Sequence, residues 1–279
     1  MLTSSFAPRL TVHAAASRPA LLVAACALAI ALPALAAPAT ASAQAQLTPD
    51  QIVERALDTN TIGFQTGEAM MTLIIQDASG ATRERRMHVR GMSDNGSTRA
   101  LIRVQAPAEV AGQAYLFREN PRGEDDVFVF LPALDDAPRR IAGSQKNASF
   151  MGTHFTYADL EGRDISDARY TRLDDEDLGG HRVYVIDAVP TTGSDYARIR
   201  LWIRQSDFIP LRVRFFNRQG EAVKTLFTEQ TDTTSSGRVY VRRMTLRPAS
   251  GGATTMVIDS ANFDAAVSAS EFTPASLTQ

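Results

Sequence analysis

The residues able to do chemistry are few and scattered. Past the first forty-odd positions the histidines are His88, His154 and His181, and none has a partner at His-Glu-x-x-His or His-x-His spacing. A zinc site of that type needs two imidazoles on one face of an element, so this metal chemistry finds no support here. His88 and His181 read as strand or surface histidines. No Gly-x-Ser-x-Gly elbow, glycine-rich phosphate loop or Ser-x-x-Lys occurs. Two acidic runs, Glu124-Asp125-Asp126 and Asp174-Asp175-Glu176-Asp177, lack the ligand spacing of a calcium loop and read as solvated turns. Arg139-Arg140 with Lys146 is the one basic group outside strands. It reads either as a solvated loop or as a contact for an acidic lipid head group or a partner's carboxylates.

The elements that would carry these residues alternate with period two. Thr48-Pro49-Asp50-Gln51 opens a helix, with Thr as cap, Pro first and Gln three after the cap. Its apolar stripe is Ile52, Ala56 and Leu57. A strand over 65–77 follows, with Met71, Leu73 and Ile75 on one face. A second alternating run carries Arg83, Arg85, Met87 and Val89, and further runs appear at 98–105, 113–119, 126–131, 168–174, 180–189, 197–204, 209–217, 221–231, 238–247 and 253–263. Asp77-Ala78-Ser79-Gly80, Ser93-Asp94-Asn95-Gly96 and Asn217-Arg218-Gln219-Gly220 are hairpin turns. Eleven to twelve strands at this spacing predict one antiparallel meander, mainly β, rather than βαβ units. Two segments depart: 132–166, too long for a hairpin loop, and Ser268-Ala269-Ser270-Glu271, shaped like a capping box.

Several strands are apolar on both faces. Val127, Val129 and Leu131 alternate with Phe128 and Phe130; Trp202 sits between Leu201 and Ile203; Phe215 adjoins Phe216. A packed sandwich core would explain this, and so would a curved sheet covering a helix or a cavity.

Composition adds boundaries. The chain has 279 residues, 29 Lys+Arg against 31 Asp+Glu, and one cysteine. Near-neutral charge excludes a nucleic-acid surface of the usual basic kind, and a lone cysteine excludes an intramolecular disulfide. Arg9, Arg18, the apolar run 20–37 and Ala41-Ser42-Ala43 read as a secretory signal, residues 1–43, cleaved after Ala43. A membrane anchor is the alternative, opposed by Pro33, Pro38 and the cleavage site. Cys26 has a loosely lipobox-like context, yet it falls mid-run and is expected to leave with the signal. Residues 44–279 then form one cysteine-free domain of 236 residues and formal charge −4.

The stretch from Phe130-Leu131-Pro132 through Arg139-Arg140-Ile141, and then Phe150-Met151-Gly152-Thr153-His154-Phe155-Thr156-Tyr157-Ala158-Asp159-Leu160, resembles the outer-membrane lipoprotein-sorting family. These are LolA/LolB/LppX-like carriers, often associated with RND/MMPL-type exporters. Pro107 to Leu116, Gly180 to Ile186, Leu201-Trp202-Ile203, Ile209 to Arg212 and Phe272-Thr273-Pro274 extend the likeness over about 50–277. The family pattern prefers Ser-Asp where this chain has Thr153-His154.

The resemblance implies an incomplete barrel, with an N-terminal helix and a helical or loop lid over the concave face. It further implies an apolar cavity for a lipid or lipoprotein acyl chain, carried between membranes through the periplasm of a Gram-negative bacterium. The residues expected to line cavity and lid are Phe128, Phe130, Phe150, Met151, Phe155, Tyr157, Trp202 and Phe215. Arg139, Arg140 and His154 are expected at the head group or a partner. No catalysis, metal or cofactor is expected. The working state is expected to be a monomer in transient membrane contact, with an RND/MMPL-type transporter as partner. A non-carrying adaptor subunit of such an exporter is the alternative.

Overall fold

Period-two apolar alternation, broken by turn-forming side chains, produces almost everything seen in the computed structural model. The structure describes residues 47–279 except 61–65, 95–96, 121 and 192. The expected export signal, its cleavage point and Cys26 lie outside the described residues, as do Asn95 and Gly96.

The first arm of the sheet runs β1 (Gly67–Gln76), β2 (Thr82–Asp94), β3 (Ser97–Ala106), β4 (Ala114–Arg118), β5 (Asp126–Phe130) and β6 (Arg139–Ile141). The second runs β7 (Ala168–Arg172), β8 (Glu176–Leu178), β9 (His181–Pro190), β10 (Arg198–Arg204), β11 (Pro210–Phe216), β12 (Ala222–Thr233), β13 (Val239–Pro248) and β14 (Ala253–Asn262). Twelve of these fourteen are the strands expected. The additional two, β6 and β8, are three residues each and mostly exposed, so no alternation marks them.

Turn chemistry fixes the hairpins. Asp77 Oδ1 accepts from the backbone N–H groups of Ser79 at 2.9 Å and Ala81 at 3.1 Å. Asn217 Oδ1 does the same for Gln219 at 3.0 Å and Glu221 at 2.9 Å. Both side chains mimic a backbone turn.

The spatial order is β6-β5-β4-β3-β2-β1-β14-β13-β12-β11-β10-β9-β7, with β8 paired to β9. Two meanders are therefore joined where the first strand meets the last, in a register from Glu68↔Asn262 to Gln76↔Ala253. The free edges, β6 and β7, are consecutive in sequence and do not pair. Val127 and Val129 near one edge share a core with Ile186 and Ala188 near the other. The sheet must curl to bring them together, and it stops short of closure.

Helix α1 (Pro49–Asn60) plugs the hollow. Thr48 Oγ1 accepts from Gln51 N at 3.2 Å, and Thr48 N donates to Gln51 Oε1 at 3.0 Å, the reciprocal cap expected. Ile52 and Val53 are completely buried and Ala56 nearly so. Each of the two larger side chains contributes about 1.5–3 kcal/mol by leaving water.

A second, smaller apolar layer covers part of the outer face. Leu101, Ala114 and Leu116 pack there under Phe272 and Leu277 of the chain's end. That end turns through Ala269–Glu271, where Ser268 N donates to Glu271 Oε1 at 2.8 Å as its capping box requires.

Candidate ligand cavity

The segment between the two free edges, residues 142–167, is the lid. It opens with a 3-10 turn, Gly143–Asn147, and ends with α2 (Tyr157–Glu161) and α3 (Arg163–Ser166). Between them the chain folds back on itself: Phe150 N donates to Phe155 O and Thr153 N to Phe150 O, both at 2.8 Å. That reversal puts Met151 at φ 53° and Gly152 at φ 71°. Glycine takes such a φ without strain, which accounts for Gly152, whereas Met151 adopts it as a non-glycine residue.

The reversal pushes Phe150 into an aromatic group with Tyr115 (centroids 4.9 Å), Phe117 (6.1 Å) and Tyr157 (5.7 Å), mostly edge to face. Burial pushes the hydroxyls of Tyr115 and Tyr157 above their ordinary titration range.

Polar contacts shape the lid and pin it to the sheet. Thr156 caps α2, accepting from Asp159 N at 3.1 Å, while Asp159 Oδ2 accepts from Thr156 N at 2.7 Å. Asp159 also meets Lys224 of β12 at 2.5 Å and accepts from the Tyr196 hydroxyl at 2.9 Å. The Lys224 ammonium stands 4.8 Å over the Tyr196 ring and 5.0 Å over the Phe215 ring. Burial, with the Asp159 charge adding to it, drives the Tyr196 hydroxyl far up. Glu161 pairs with Lys146 at 2.7 Å, and burial still holds its carboxyl above the usual range.

Arg163 grips Asp125, itself almost wholly buried, at 2.6 and 2.7 Å. At the tip, His154 N donates to Thr254 Oγ1 at 3.0 Å, and the ring Nδ1 lies 2.8 Å from the same oxygen. Burial keeps this imidazole below its ordinary pKa, with the nearby Arg83 charge acting the same way.

Under the lid lies a cavity of about 400 Å³. Leu57 of α1, Ala100, Phe117, Val213, Leu226, Met244 and Met256 of the sheet, and Phe155, Leu160 and Ile165 of the lid supply its apolar wall. Its polar lining is Ser93, Thr98, Ser166, Arg118 and the carboxylates of Asp58, Glu119, Asp125, Asp126, Asp159 and Glu161, of which Asp125, Asp126, Asp159 and Glu161 are already paired with basic side chains. Two methionines on the wall suit a ligand of variable shape. Among the described residues no group of three or more His, Cys, Asp or Glu side chains is placed to hold a metal ion, and no helix is long and apolar enough to cross a membrane.

The residues singled out in the sequence divide three ways. Phe155 and Phe215 line the cavity. Phe150, Met151 and Tyr157 pack in the core beside it. Phe128, Phe130 and Trp202 do not join them. Val127 and Val129 take the inner face of β5, so period two turns Phe128 and Phe130 outward, against the Phe272–Leu277 layer. Leu201 and Ile203 likewise take the inner face of β10, and Trp202 points out, packed with Val183 and Val185 and donating to Glu176 Oε2 at 2.9 Å.

Arg139 and Arg140, on edge strand β6, pair with Asp135 and Asp126, each at 2.9 Å, and stay about half exposed. His154 is occupied by its contact with β14. Asp159 belongs to the stretch that carries the family resemblance, though with no role assigned to it; Lys224 and Tyr196 carry no sign in the sequence.

A protein-family model described only as an uncharacterized protein matches residues 96–279. No curated protein matches the sequence. Among solved structures, the chain is similar to one described as an outer membrane lipoprotein-sorting protein domain from Vibrio parahaemolyticus: 26% identity, TM-score 0.76, over 83% of this chain and 98% of that one. A DUF1329 family protein from Desulfovibrio piger aligns at 24% identity and TM-score 0.73, over 83% and 100%. A LolA superfamily protein from Nitrosomonas europaea aligns at 21% and 0.65, over 82% and 98%. The last two share the fold. The resemblance read from the lid motif is borne out by these neighbours.

Proposed function

We propose that this chain, which belongs to the family matched over residues 96–279 and has the LolA-like fold of the outer-membrane lipoprotein-sorting domain, is a periplasmic carrier of acyl chains. The observation that carries the reading is the cavity itself: about 400 Å³, walled by aliphatic, aromatic and methionine side chains, and closed by a segment that crosses the open seam of the sheet. Such a volume falls in the range of about 300–1,000 Å³ typical of ligand pockets.

The mechanism needs shielding rather than bond-making. Each buried methylene of a cargo chain contributes about 0.8 kcal/mol, so about five or more are needed to offset even the lower end, about 4 kcal/mol, of the freedom lost on binding. Release requires an acceptor that offers the chain an environment of equal or better affinity. An RND/MMPL-type transporter is proposed as that partner on the family resemblance, and its recovery in a pull-down from cross-linked cells is the check. The proposed working form is a monomer of residues 44–279, exported by its first 43 residues and touching membranes only in transit.

The experiment is lipid extraction and native mass spectrometry of protein purified from a periplasmic fraction, followed by titration with a fluorescent acyl probe. Co-purified lipid and saturable probe binding are expected. Protein that emerges empty and binds no probe would overturn the carrier reading and leave the adaptor role.

A further inference from the structure

The outer face of β10 and β11 carries a concentration of positive charge that the carrier reading does not use. The guanidinium groups of Arg200, Arg212 and Arg214 lie 6.0, 5.2 and 5.5 Å from the centre of the Trp202 ring. Arg200 and Arg214 are direct cross-strand neighbours, an arrangement in which like charges repel. Asp187 answers Arg200 at 2.6 Å and Arg198 at 3.0 Å. Among the described residues no carboxylate pairs with Arg212 or Arg214, and Arg212 Nε is buried without a hydrogen-bond partner.

Arg212 is also held from a second side, by Phe227 at 5.7 Å, so two rings fix the plane of its fork. It opens onto a surface pocket of about 370 Å³ whose wall includes Leu178, Leu211, Phe227, His181 and Glu229. Arg204 lines the same pocket but is neutralised by Asp207 at 2.7 Å. Glu229 is taken up by Arg243 at 3.0 Å and, more loosely, by Arg247 at 3.8 Å. What remains unanswered is one oriented guanidinium beside an apolar wall.

We propose that this pocket is a second binding site, selective for a carboxylate carried on an apolar chain. A single free guanidinium matches the two oxygens of a carboxylate, and two parallel N–H···O bonds are the strong form of that contact. Leu178, Leu211 and Phe227 receive the apolar part. A phosphate group fits less well, because its second negative charge has no second free cation to meet it: Arg204, the other guanidinium of the pocket, is already paired with Asp207. The site is on the opposite face of the sheet from the cavity and stands whether or not the cavity holds cargo.

Trp202 is the only tryptophan in the chain, so its emission reports on this pocket directly. The purified chain is titrated with octanoate, inorganic phosphate and octylammonium. Octanoate is expected to give a saturable emission change, weakened by about tenfold or more in Arg212→Gln, with no response to the other two probes. The Ala100→Phe variant, which narrows the cavity on the opposite face, is expected to keep the octanoate response. An octanoate response that survives R212Q overturns the site, as does one lost in A100F. An equal response to octylammonium overturns the role of charge, and an equal response to phosphate overturns the carboxylate assignment. If R212Q does not fold, Arg212→Lys decides: it keeps the charge and loses the fork, and unchanged affinity overturns the proposal.

Discussion

Lys224 reaches inward from β12 to place its ammonium 2.5 Å from Asp159 at the start of α2, and both side chains are more than nine-tenths buried. A charge in that position is held only by its partner. The chain has just two lysines among its 29 basic residues, and both are used this way: Lys146 pairs with Glu161, at the other end of the same short helix. Lys224 thus fastens the lid to β12, and Lys146, which also donates to the Asp125 carbonyl at 2.8 Å, fastens it beside the start of β5.

Removing one half of the buried pair leaves the other uncompensated. Lys224→Met is expected to destabilise the protein by about 3–5 kcal/mol, and the double variant with Asp159→Asn to recover part of that loss. Urea unfolding of both single variants and the double variant measures this. Single losses that simply add in the double variant would show that the pair does not act as a unit.

The scarcity of lysine supplies a direct reading of the lid. In the closed state the Lys146 and Lys224 side chains are 13% and 8% exposed, so amine-reactive reagents should modify them slowly. Mass spectrometry after timed labelling is expected to find both protected together, and both exposed faster in Asp159→Asn. Rapid labelling of Lys224 in the wild type would mean that the lid stands open in solution.

The His154–Thr254 contact makes the lid tip sensitive to acid. In the unfolded chain His154 takes its proton near the ordinary 6.5; in the fold, burial lowers that value. Between the two values the unfolded state holds more protons, so stability falls as the pH drops below 6.5 and is full above it. The protection of residues 150–156 against amide hydrogen exchange, taken relative to the intrinsic rate at each pH, should fall over that window, and His154→Gln should flatten the dependence.

Filling the cavity tests the carrier directly. Ala100→Phe projects a ring among Phe117, Phe155 and Met256 and is expected to weaken acyl-probe binding by about tenfold, or 1.4 kcal/mol, or more. Overpacking should cost about 1–3 kcal/mol of stability, which thermal unfolding reads separately. Undiminished probe affinity would place the ligand elsewhere.

Gly67 tests the joint between the two arms. Its φ is +142°, and a β-carbon there would stand 2.5 Å from the Asn262 carbonyl oxygen on β14. Gly67→Ala is expected to cost about 2–3 kcal/mol, read as a shift of the urea midpoint.

Much of the fold was legible because local rules decided it. The Thr48 cap, the Asp77 and Asn217 turns and the period-two strands each depend on residues a few positions apart. What could not be read depends on distant partners. Phe128 and Trp202 belong to strands apolar on both faces, so alternation alone could not tell inside from outside, and a one-residue error inverts the answer. Lys224 lies in an alternating strand where a lysine would ordinarily face water; its inward direction is set by Asp159, 65 positions earlier. Strands β6 and β8 exist through edge pairing and ion pairs rather than apolar pattern.

Because β1 pairs with β14, neither the first nor the last strand is an edge, and among the described residues the gap lies between β6 and β7. The molecule is a split ring whose clasp is a stretch of its own chain. Spreading such a ring breaks no rung of the β ladder; it works against the clasp and against the apolar core that Val127 and Val129 share with Ile186 and Ala188. The tether from β6 to β7, residues 142–167, sets how far the two edges can part.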